Sequence, residues 1–315
     1  MKKLIIQIPC YNEEESLAAT LHALPREVAG FGKVEWLIID DGSEDRTVAV
    51  ARENGVDHIV ELGTHQGLAR GFTAGLDAAL RAGADVIVNT DADNQYCADD
   101  IPTLVEPILR GEAEIVVGAR PVTQIAHFSS LKKFLQRLGS SVVRRASGTD
   151  VADAPSGFRA MSRAAALQLN VFSRYTYTLE TIIQAGQKNI PIKSVPIRTN
   201  PDLRPSRLMK SMRAYVNHSI LTILRITLTY KPLRAFLTLG SVPFVIGTAL
   251  GVRWLWLFWV EGTTRTHLPS LILAAILILI GVQLWIVGIV ADIVAVNRRL
   301  LEDIQLRVKR LEYRS

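Results

Sequence analysis

The stretch DVIVNTDADNQYCADDIP, residues 85–102, runs from an apolar segment straight into closely spaced carboxylates. Val86, Ile87 and Val88 read as a short buried strand, and Asp91-Ala92-Asp93 with Gln95 follows at its end. Two carboxylates one residue apart repel each other, so the arrangement needs a compensating ligand. Alternate residues leaving a strand converge both carboxylates on one hard cation. Mg²⁺ typically takes one or two carboxylates and fills its other positions with phosphate and water. Gln95 supplies a further oxygen.

The surrounding sequence supplies the sheet that such a strand needs. KLIIQIP (3–9), EWLIID (35–40), HIVEL (58–62), EIVVGA (114–119) and IKSVPIRT (192–199) read as strands beside DVIVNT (85–90). Between them EEESLAATLHAL, DRTVAVAREN and GFTAGLDAALRAG have helical spacing and turn-type ends. This alternation predicts an α/β domain around a mostly parallel sheet, in which ligands bind beyond the carboxyl ends of the strands.

At 315 residues the chain suits one large or two modest domains. Residues 1–120 hold 10 Lys and Arg against 21 Asp and Glu, whereas residues 121–234 hold 18 against 4. The overall charge of +6 therefore hides an acidic first third and a basic middle. A cation with an anionic ligand suits the junction, and anionic lipid suits the basic part. No nucleic-acid motif accompanies the basic residues, which argues against a nucleic-acid partner. Cys10 and Cys97 belong to no CxxC or Cys/His cluster, so neither a zinc site nor a disulfide framework is expected, in keeping with a reducing compartment. The opening MKKLIIQIPC has too short an apolar run for a signal peptide and reads as the first strand.

Two segments change the class of protein. Residues 235–252 are 18 residues without a charge, and residues 268–291 are 24. A spanning helix needs about 20 apolar residues. Trp254, Trp256 and Trp259 suit interfacial positions, Trp285 less well. Lys231 and Arg234 precede the first span and Arg298 and Arg299 follow the second, while the connecting loop carries Glu261 and Arg265, with Arg253 at the span's edge. Positive-inside logic puts both outer ends and the N-terminal domain in the cytoplasm, as a multi-pass protein of the inner membrane. Residues 203–234 are basic and apolar, fitting interfacial helices or ordinary packed ones. The tail keeps an apolar stripe at 293, 296, 300, 304, 308 and 311, as packing requires, within the chain or between subunits.

Further motifs lie at other strand ends. In PCYNEEESL (9–17), Asn12 and Glu15 form a plausible capping pair, while Pro9, Tyr11 and Glu13 could line a nucleotide pocket with Tyr11 stacked on a base. IIDDGSEDRT ends in Asp40 and Asp41, which suit either a solvated turn or a ribose or base edge. Gly67, Gly71 and Gly75, every fourth residue, do not make a dinucleotide fingerprint and read as close packing along one helix face. VVGARP ends in Arg120, and DVADAPSGFRAMSRAA (150–165) reads as a turn carrying Asp153 and a helix start. Glu180 falls on a helix before the last strand, and Arg204, Ser206 and Arg207 follow that strand.

These motifs together, IPCYNEEESL, IIDDGSEDRT, TDADNQY, VVGARP, DAPSGFRA and SVPIRTNPDLRPSRL, resemble in order and spacing the family 2 glycosyltransferases with the GT-A fold. The likeness covers about residues 4–207 and is closer to the dolichyl- and polyprenyl-phosphate sugar transferases, whose bacterial members carry a membrane hairpin after the catalytic domain. It implies a GT-A-type, mostly parallel, Rossmann-like α/β catalytic domain at 1–202 and interfacial helices at 203–234. A hairpin of transmembrane helices at about 235–258 and 268–291 follows, with a cytoplasmic helical tail at 296–315. By resemblance Pro9, Tyr11, Glu13, Asp40, Asp41, Asp91, Ala92 and Arg207 hold the nucleotide-sugar, and Asp91, Asp93 and Gln95 coordinate Mg²⁺ or Mn²⁺ with the donor diphosphate. Asp153 matches the acid proposed as catalytic in the group, and Arg120 the residue that grips the acceptor phosphate, with Arg137 and Ser140 beside it. Three departures stand out: Arg137 is one place off the pattern, His65 replaces Asn or Lys, and Pro205-Ser206-Arg207 replaces Gly-x-Ser-Lys, which stiffens that loop.

The expected activity is inverting transfer of a sugar from a UDP- or GDP-sugar to polyprenyl phosphate, by a membrane-bound homo-oligomer. A polyprenyl phosphate is already anionic at pH 7, so the work is positioning and charge stabilisation by Asp93, Arg120 and the cation. Two other readings stay open. A lipid or polysaccharide hydroxyl acceptor would need Asp153 as a base. A non-catalytic nucleotide-sugar-binding subunit would need no turnover at all.

Overall fold

The computed structural model describes residues 1–121, 144, 147–172, 177–201, 228, 232–261 and 268–313. Contacts divide the chain into two units, Met1–Ile223 with Leu306–Ser315, and Leu224–Gln305.

The first unit is built on a seven-stranded sheet. In chain order its elements are β1 (Lys3–Cys10), α1 (Glu14–Ala23), β2 (Lys33–Asp40), α2 (Thr47–Glu53), β3 (His58–Glu61), α3 (Leu68–Arg81) and β4 (Val86–Asn89). Then come α4 (Ile101–Leu109), β5 (Ile115–Ala119), β6 (Arg159–Ser162), α5 (Arg163–Gln168), α6 (Thr178–Gln187) and β7 (Ile192–Pro196). The strand order is β3-β2-β1-β4-β6-β5-β7, parallel throughout except for β6, which runs antiparallel between β4 and β5. From β1 the chain winds outward through β2 and β3, then returns to lay β4 against the other side of β1, pairing Gln7 with Asn89. That reversal opens a crevice beyond the carboxyl ends of β1 and β4, the place where open α/β sheets bind ligands.

The strands are apolar on both faces because helices cover both. Leu4, Ile6, Ile8 and Cys10 join Leu17 and Leu21 of α1, Ala51 of α2 and Ile101, Leu104 and Ile108 of α4 in one core. On the opposite face α3 packs against β1 and β2. A Cβ at Gly75 would lie 2.6 Å from Gln7 Oε1 and 2.7 Å from Ile39 Cδ1, so this helix reaches the sheet only with glycine there. Gly67 does something different from the packing expected of it: with φ of 93° it caps the start of α3. The expected Asn12–Glu15 capping pair does not form either. Glu13 takes the N-cap position of α1 without a side-chain cap, its carboxylate accepting only from the Ser16 hydroxyl at 2.8 Å, while Asn12 takes φ of 54° and accepts the Glu44 N–H.

β6 was not expected. Its four residues, Arg-Ala-Met-Ser, contain no β-branched side chain and begin with an arginine, so neither composition nor alternation marks a strand. The arginine is nevertheless buried, for reasons given with the site. At its far end the described tail packs on this same unit: Tyr313 lies buried with its hydroxyl on Asp77, its carbonyl accepts from Arg163 at 2.7 Å, and Glu312 pairs with Arg81.

The second unit holds α7 (Pro232–Glu261) and most of α8 (Leu268–Glu312). Both are long and apolar enough to cross a membrane, with mean hydropathies of 1.8 and 2.7, and only 11% and 17% of their most apolar windows are buried. Such exposure sets them apart from the core helix of a soluble domain, which protein would cover, and leaves them as candidate membrane spans. Small residues bring the helices together: Ala274, Gly281, Gly288 and Ala295 repeat every seventh position and are buried. A Cβ at Gly240 would lie 2.8 Å from the Gly281 carbonyl oxygen, and one at Gly281 2.8 Å from that of Gly240. Trp285 packs inside this hairpin, 4.6 Å from the Phe244 ring, with its Nε1 donating to the Leu237 carbonyl at 3.2 Å.

At the end of the sheet away from the crevice, Glu35 gathers two lysines and an imidazole: Lys3 at 2.9 Å, His58 at 2.8 Å, and Lys33. Burial pushes its carboxyl up, but hydrogen bonds from Lys33, His58 and Lys3 more than offset this and hold it at about 2, below the ordinary 4.5. A carboxyl depressed on folding stabilises fully above its ordinary pKa, and that stabilisation is lost as pH falls through the folded value. Glu35→Gln is therefore expected to lower stability by about 1–2 kcal/mol at pH 7. Thermal unfolding in detergent should show parent and variant converging as pH falls from 4.5 towards 2.

Candidate active site

The crevice is rimmed by the residues that leave β1, β2, β4 and β5. After Asn89 the chain turns through Thr90 and presents Asp91, half-buried, with Ala92 buried and Asp93 and Gln95 part-exposed. Asn94 takes φ of 54°, and the Gln95 N–H closes back on Asp93 Oδ1 at 3.1 Å. The segment is bolted to the chain after β7. Tyr96 bridges Thr199, Asn200 Nδ2 donates to the Asn94 carbonyl at 2.9 Å, and Arg198 grips Asp100 through Nε and Nη2 at 2.9 and 2.7 Å.

Asp91 carries the tension of the site. Burial pushes its carboxyl up to about 7; Asp93 and Glu13 add to the rise, while Arg120 and a hydrogen bond from Tyr96 work against it. A carboxylate that is hard to ionise because a second carboxylate faces it is a carboxylate suited to a cation. Among the described residues no three His, Cys, Asp or Glu side chains gather into a complete metal cage. The donor set of Asp91, Asp93 and Gln95 fits a hard ion that takes its other oxygens from phosphate and water, as Mg²⁺ does.

Arg120 sits beside this acidic pair at the end of β5. Its side chain is only 11% exposed and its fork closes on Asp153, Nε to Oδ2 at 2.7 Å and Nη2 to Oδ1 at 3.1 Å. Burial works against the guanidinium charge, but Asp153, Tyr96 and Asp91 more than restore it, so it stays firmly cationic. Nη1 makes no hydrogen bond among the described residues and keeps two donors for an anion. Asp153, expected by resemblance as the catalytic acid, and Arg120, expected as the grip on the acceptor phosphate, stand joined as one pair.

The turn that carries Asp153 is held by Arg159, which the sequence offered only as part of a turn and helix start. Arg159, the first residue of β6, is fully buried and donates to the carbonyls of Ala154, Ser156 and Thr178 at 2.7–2.8 Å, and to the Thr181 hydroxyl. It therefore shapes the 153–157 turn from beneath and ties it to the start of α6. A second buried polar chain runs under Asp91: Gln7 Nε2 donates to Asn89 Oδ1 at 2.8 Å, and Asn89 Nδ2 to the Gly157 carbonyl at 2.9 Å and the Tyr177 hydroxyl at 2.8 Å. The one signal for either group was a polar residue inside an apolar strand, Gln7 in KLIIQIP.

The expected nucleotide contacts form a second group. Asp41 accepts the Gln66 and Gly67 N–H groups, both at 2.8 Å, and lies 2.8 Å from His65 Nδ1. The His65 ring stacks on Tyr11 at 3.9 Å, and Tyr11 is exposed. Asp40 is buried and accepts the Ser43 N–H, and Pro9 lies one residue before the end of β1. Glu13 belongs to both groups, standing at the N-cap position of α1 and acting on Asp91. Arg137, Ser140 and Arg207 lie outside the described residues.

Comparison with known proteins supplies the family. The chain is 30% identical to the UDP-N-acetylglucosamine--dolichyl-phosphate N-acetylglucosaminyltransferase of Methanococcus voltae, over 63% of this chain and 86% of that one. It is 27% identical to the undecaprenyl-phosphate 4-deoxy-4-formamido-L-arabinose transferase of Photorhabdus laumondii subsp. laumondii, over 98% of this chain and 92% of that one. The fold matches glucosyl-3-phosphoglycerate synthase of Mycobacterium tuberculosis, in complex with Mn²⁺, UDP-glucose and phosphoglyceric acid. That match has a TM-score of 0.57 at 20% identity, covering 70% of this chain and 79% of that one, and the fold is of the GT-A type. Residues 5–169, over half of the chain, match the model of glycosyl transferase family 2, and the protein belongs to that family of enzymes.

Proposed function

We propose that this glycosyltransferase moves a sugar from a UDP- or GDP-sugar to polyprenyl phosphate, inverting the anomeric carbon. The observation that carries the reading is the Arg120–Asp153 pair. A hydroxyl acceptor needs a base aimed at its proton. Both oxygens of Asp153, the carboxylate available for that task, accept from the Arg120 fork instead. A phosphate acceptor needs no such base, because its oxygen is already anionic; it needs a cation to hold it, and Arg120 Nη1 offers two donors. The relatives named for transfer to dolichyl phosphate and undecaprenyl phosphate support the same acceptor class.

In the proposed reaction the phosphate, held by Arg120, attacks the anomeric carbon with one oxygen. The bond to the donor diphosphate breaks as the new one forms, and its electron pair leaves with the nucleoside diphosphate. Asp91, Asp93 and Gln95 would hold Mg²⁺ or Mn²⁺, whose charge would stabilise that leaving group. Asp153 fixes the Arg120 fork, and Tyr11 with the Asp41 turn would receive the nucleoside. The membrane hairpin would keep the enzyme at the bilayer that holds its lipid substrate. The basic flanks Lys231, Arg234, Arg298 and Arg299 favour a cytoplasmic catalytic unit at 1–202. Association into a homo-oligomer belongs to the same reading and is checked by the mass of the detergent-solubilised protein.

Incubating the purified protein with Mg²⁺ or Mn²⁺, undecaprenyl phosphate and a panel of UDP- and GDP-sugars tests the reading. One donor should release nucleoside diphosphate and yield a prenyl-phosphate sugar by mass spectrometry, with EDTA abolishing both. Donor binding without release across the panel would contradict it. Asp93→Ala should abolish transfer, by at least about a thousandfold, in a protein that still folds. Arg120→Lys keeps the charge but loses the fork, and should raise KM for the lipid phosphate about tenfold while KM for the donor changes little.

A further inference from the structure

α8 runs for 45 residues, Leu268–Glu312, and carries a second pattern beside its small residues. From Leu273 to Leu311, steps of three and four residues alternate without a break over twelve positions. Ten of the twelve are Leu, Ile or Val, each 43–69% exposed, and the other two are Gln283 and Asn297, also exposed. A repeat of this kind, kept here for more than five heptads, draws an apolar seam along one side of a helix. α7 does not cover it: Ala274, Gly281 and Gly288, which face α7, each stand one residue further on, about 100° around the helix.

Lipid would cover the first half of this seam. It does not suit Leu301, Ile304, Val308 and Leu311, 55–69% exposed and beyond Arg298 and Arg299, where an apolar face meets water. Nor does lipid suit Gln283, inside the uncharged stretch 268–291, whose carboxamide makes no hydrogen bond among the described residues. A second α8 answers both needs. Copies inserted in the same sense hold their α8 helices parallel, and a two-fold axis between them sets every seam residue against its own counterpart. Apolar positions then meet apolar ones, and carboxamide meets carboxamide, a side chain that donates and accepts at once. The strip from Leu273 to Leu311 is about 58 Å long at 1.5 Å of rise per residue. At about 10 Å wide it buries about 1,200 Å² over two copies, which reaches the area of a specific interface.

We propose that the α8 seam is the surface on which a second copy of this chain packs, in parallel register, with Gln283 opposite Gln283 and Asn297 opposite Asn297. The inference rests on the proposed membrane placement and gives the homo-oligomer of that reading its interface. The two carboxamides fix the register, as a polar residue in an apolar seam does. A slip of one heptad in either direction would set Gln283 against Ile276 or Val290, and Asn297 against Val290 or Ile304.

Disulfide cross-linking in native membranes tests this, on the full-length chain carrying Cys97→Ser, since the remaining Cys10 is buried. Leu301→Cys and Ile304→Cys replace exposed side chains, so both variants are expected to fold. On mild oxidation each should give a covalent dimer, at least about tenfold more of it than Arg299→Cys, which is exposed on the opposite side of α8. Ile304→Lys sets two ammonium groups face to face and should bring the detergent-solubilised protein to a single-chain mass. Equal cross-linking at all three positions would overturn the seam alone. So would a multi-chain parent that cross-links at neither seam position, or an Ile304→Lys protein of unchanged mass. A parent freed from membranes by alkaline washing would overturn the membrane placement and this inference together, and a parent of single-chain mass the homo-oligomer and this inference together.

Discussion

The burial of Asp91 beside Asp93 sets the terms for everything around the crevice. Burial and a neighbouring carboxylate both make Asp91 reluctant to ionise, and the protein answers with positive charge and hydrogen bonds. Arg120 supplies charge from the end of β5. What these leave uncompensated is negative charge, which in the proposed function a divalent cation would meet. The strand order matters because β4 must lie against β1, and β5 one strand beyond β6, for a guanidinium and two carboxylates from distant parts of the chain to meet.

The supporting residues divide into two kinds. Arg120 and Asp153 face the crevice and neutralise each other, which fixes the direction of the remaining guanidinium donors. Arg159, Gln7, Asn89 and Tyr177 lie beneath and meet no solvent. Arg159 and Asn89 replace water as partners for the carbonyls of Ala154, Ser156 and Gly157, which lets an irregular loop be buried. A site meant to stabilise developing charge gains from such rigidity, because donors already in place need not reorganise during reaction.

Much of this was legible in the sequence, and the limits are physical. Six of the seven strands stand out as apolar runs, because parallel strands covered on both faces carry no polar alternation. The acidic motif is legible because two carboxylates at a strand end have few structural uses. β6 was not, since it is short and opens on an arginine whose burial depends on carbonyls contributed by Ala154, Ser156 and Thr178. The Arg120–Asp153 pair joins residues 33 positions apart, and no local spacing encodes such a contact. Capping was misread for a related reason: Asn12 and Glu15 fit the local pattern, but Ser43 and Glu44 engage Asn12 from the neighbouring turn. In the two long apolar helices the lengths were plain, whereas the seven-residue repeat of small side chains stands out only between packed helices.

The central claim is that the acidic end of β4 holds a divalent cation against the donor diphosphate. Its most direct test is a crystal structure of the protein with Mn²⁺ and the nucleoside diphosphate, using the anomalous signal of the metal to locate it. A single peak is expected in coordinating contact with Asp93, near Asp91 and beside the diphosphate. A nucleotide bound with no peak there, or with the metal held elsewhere, would contradict it.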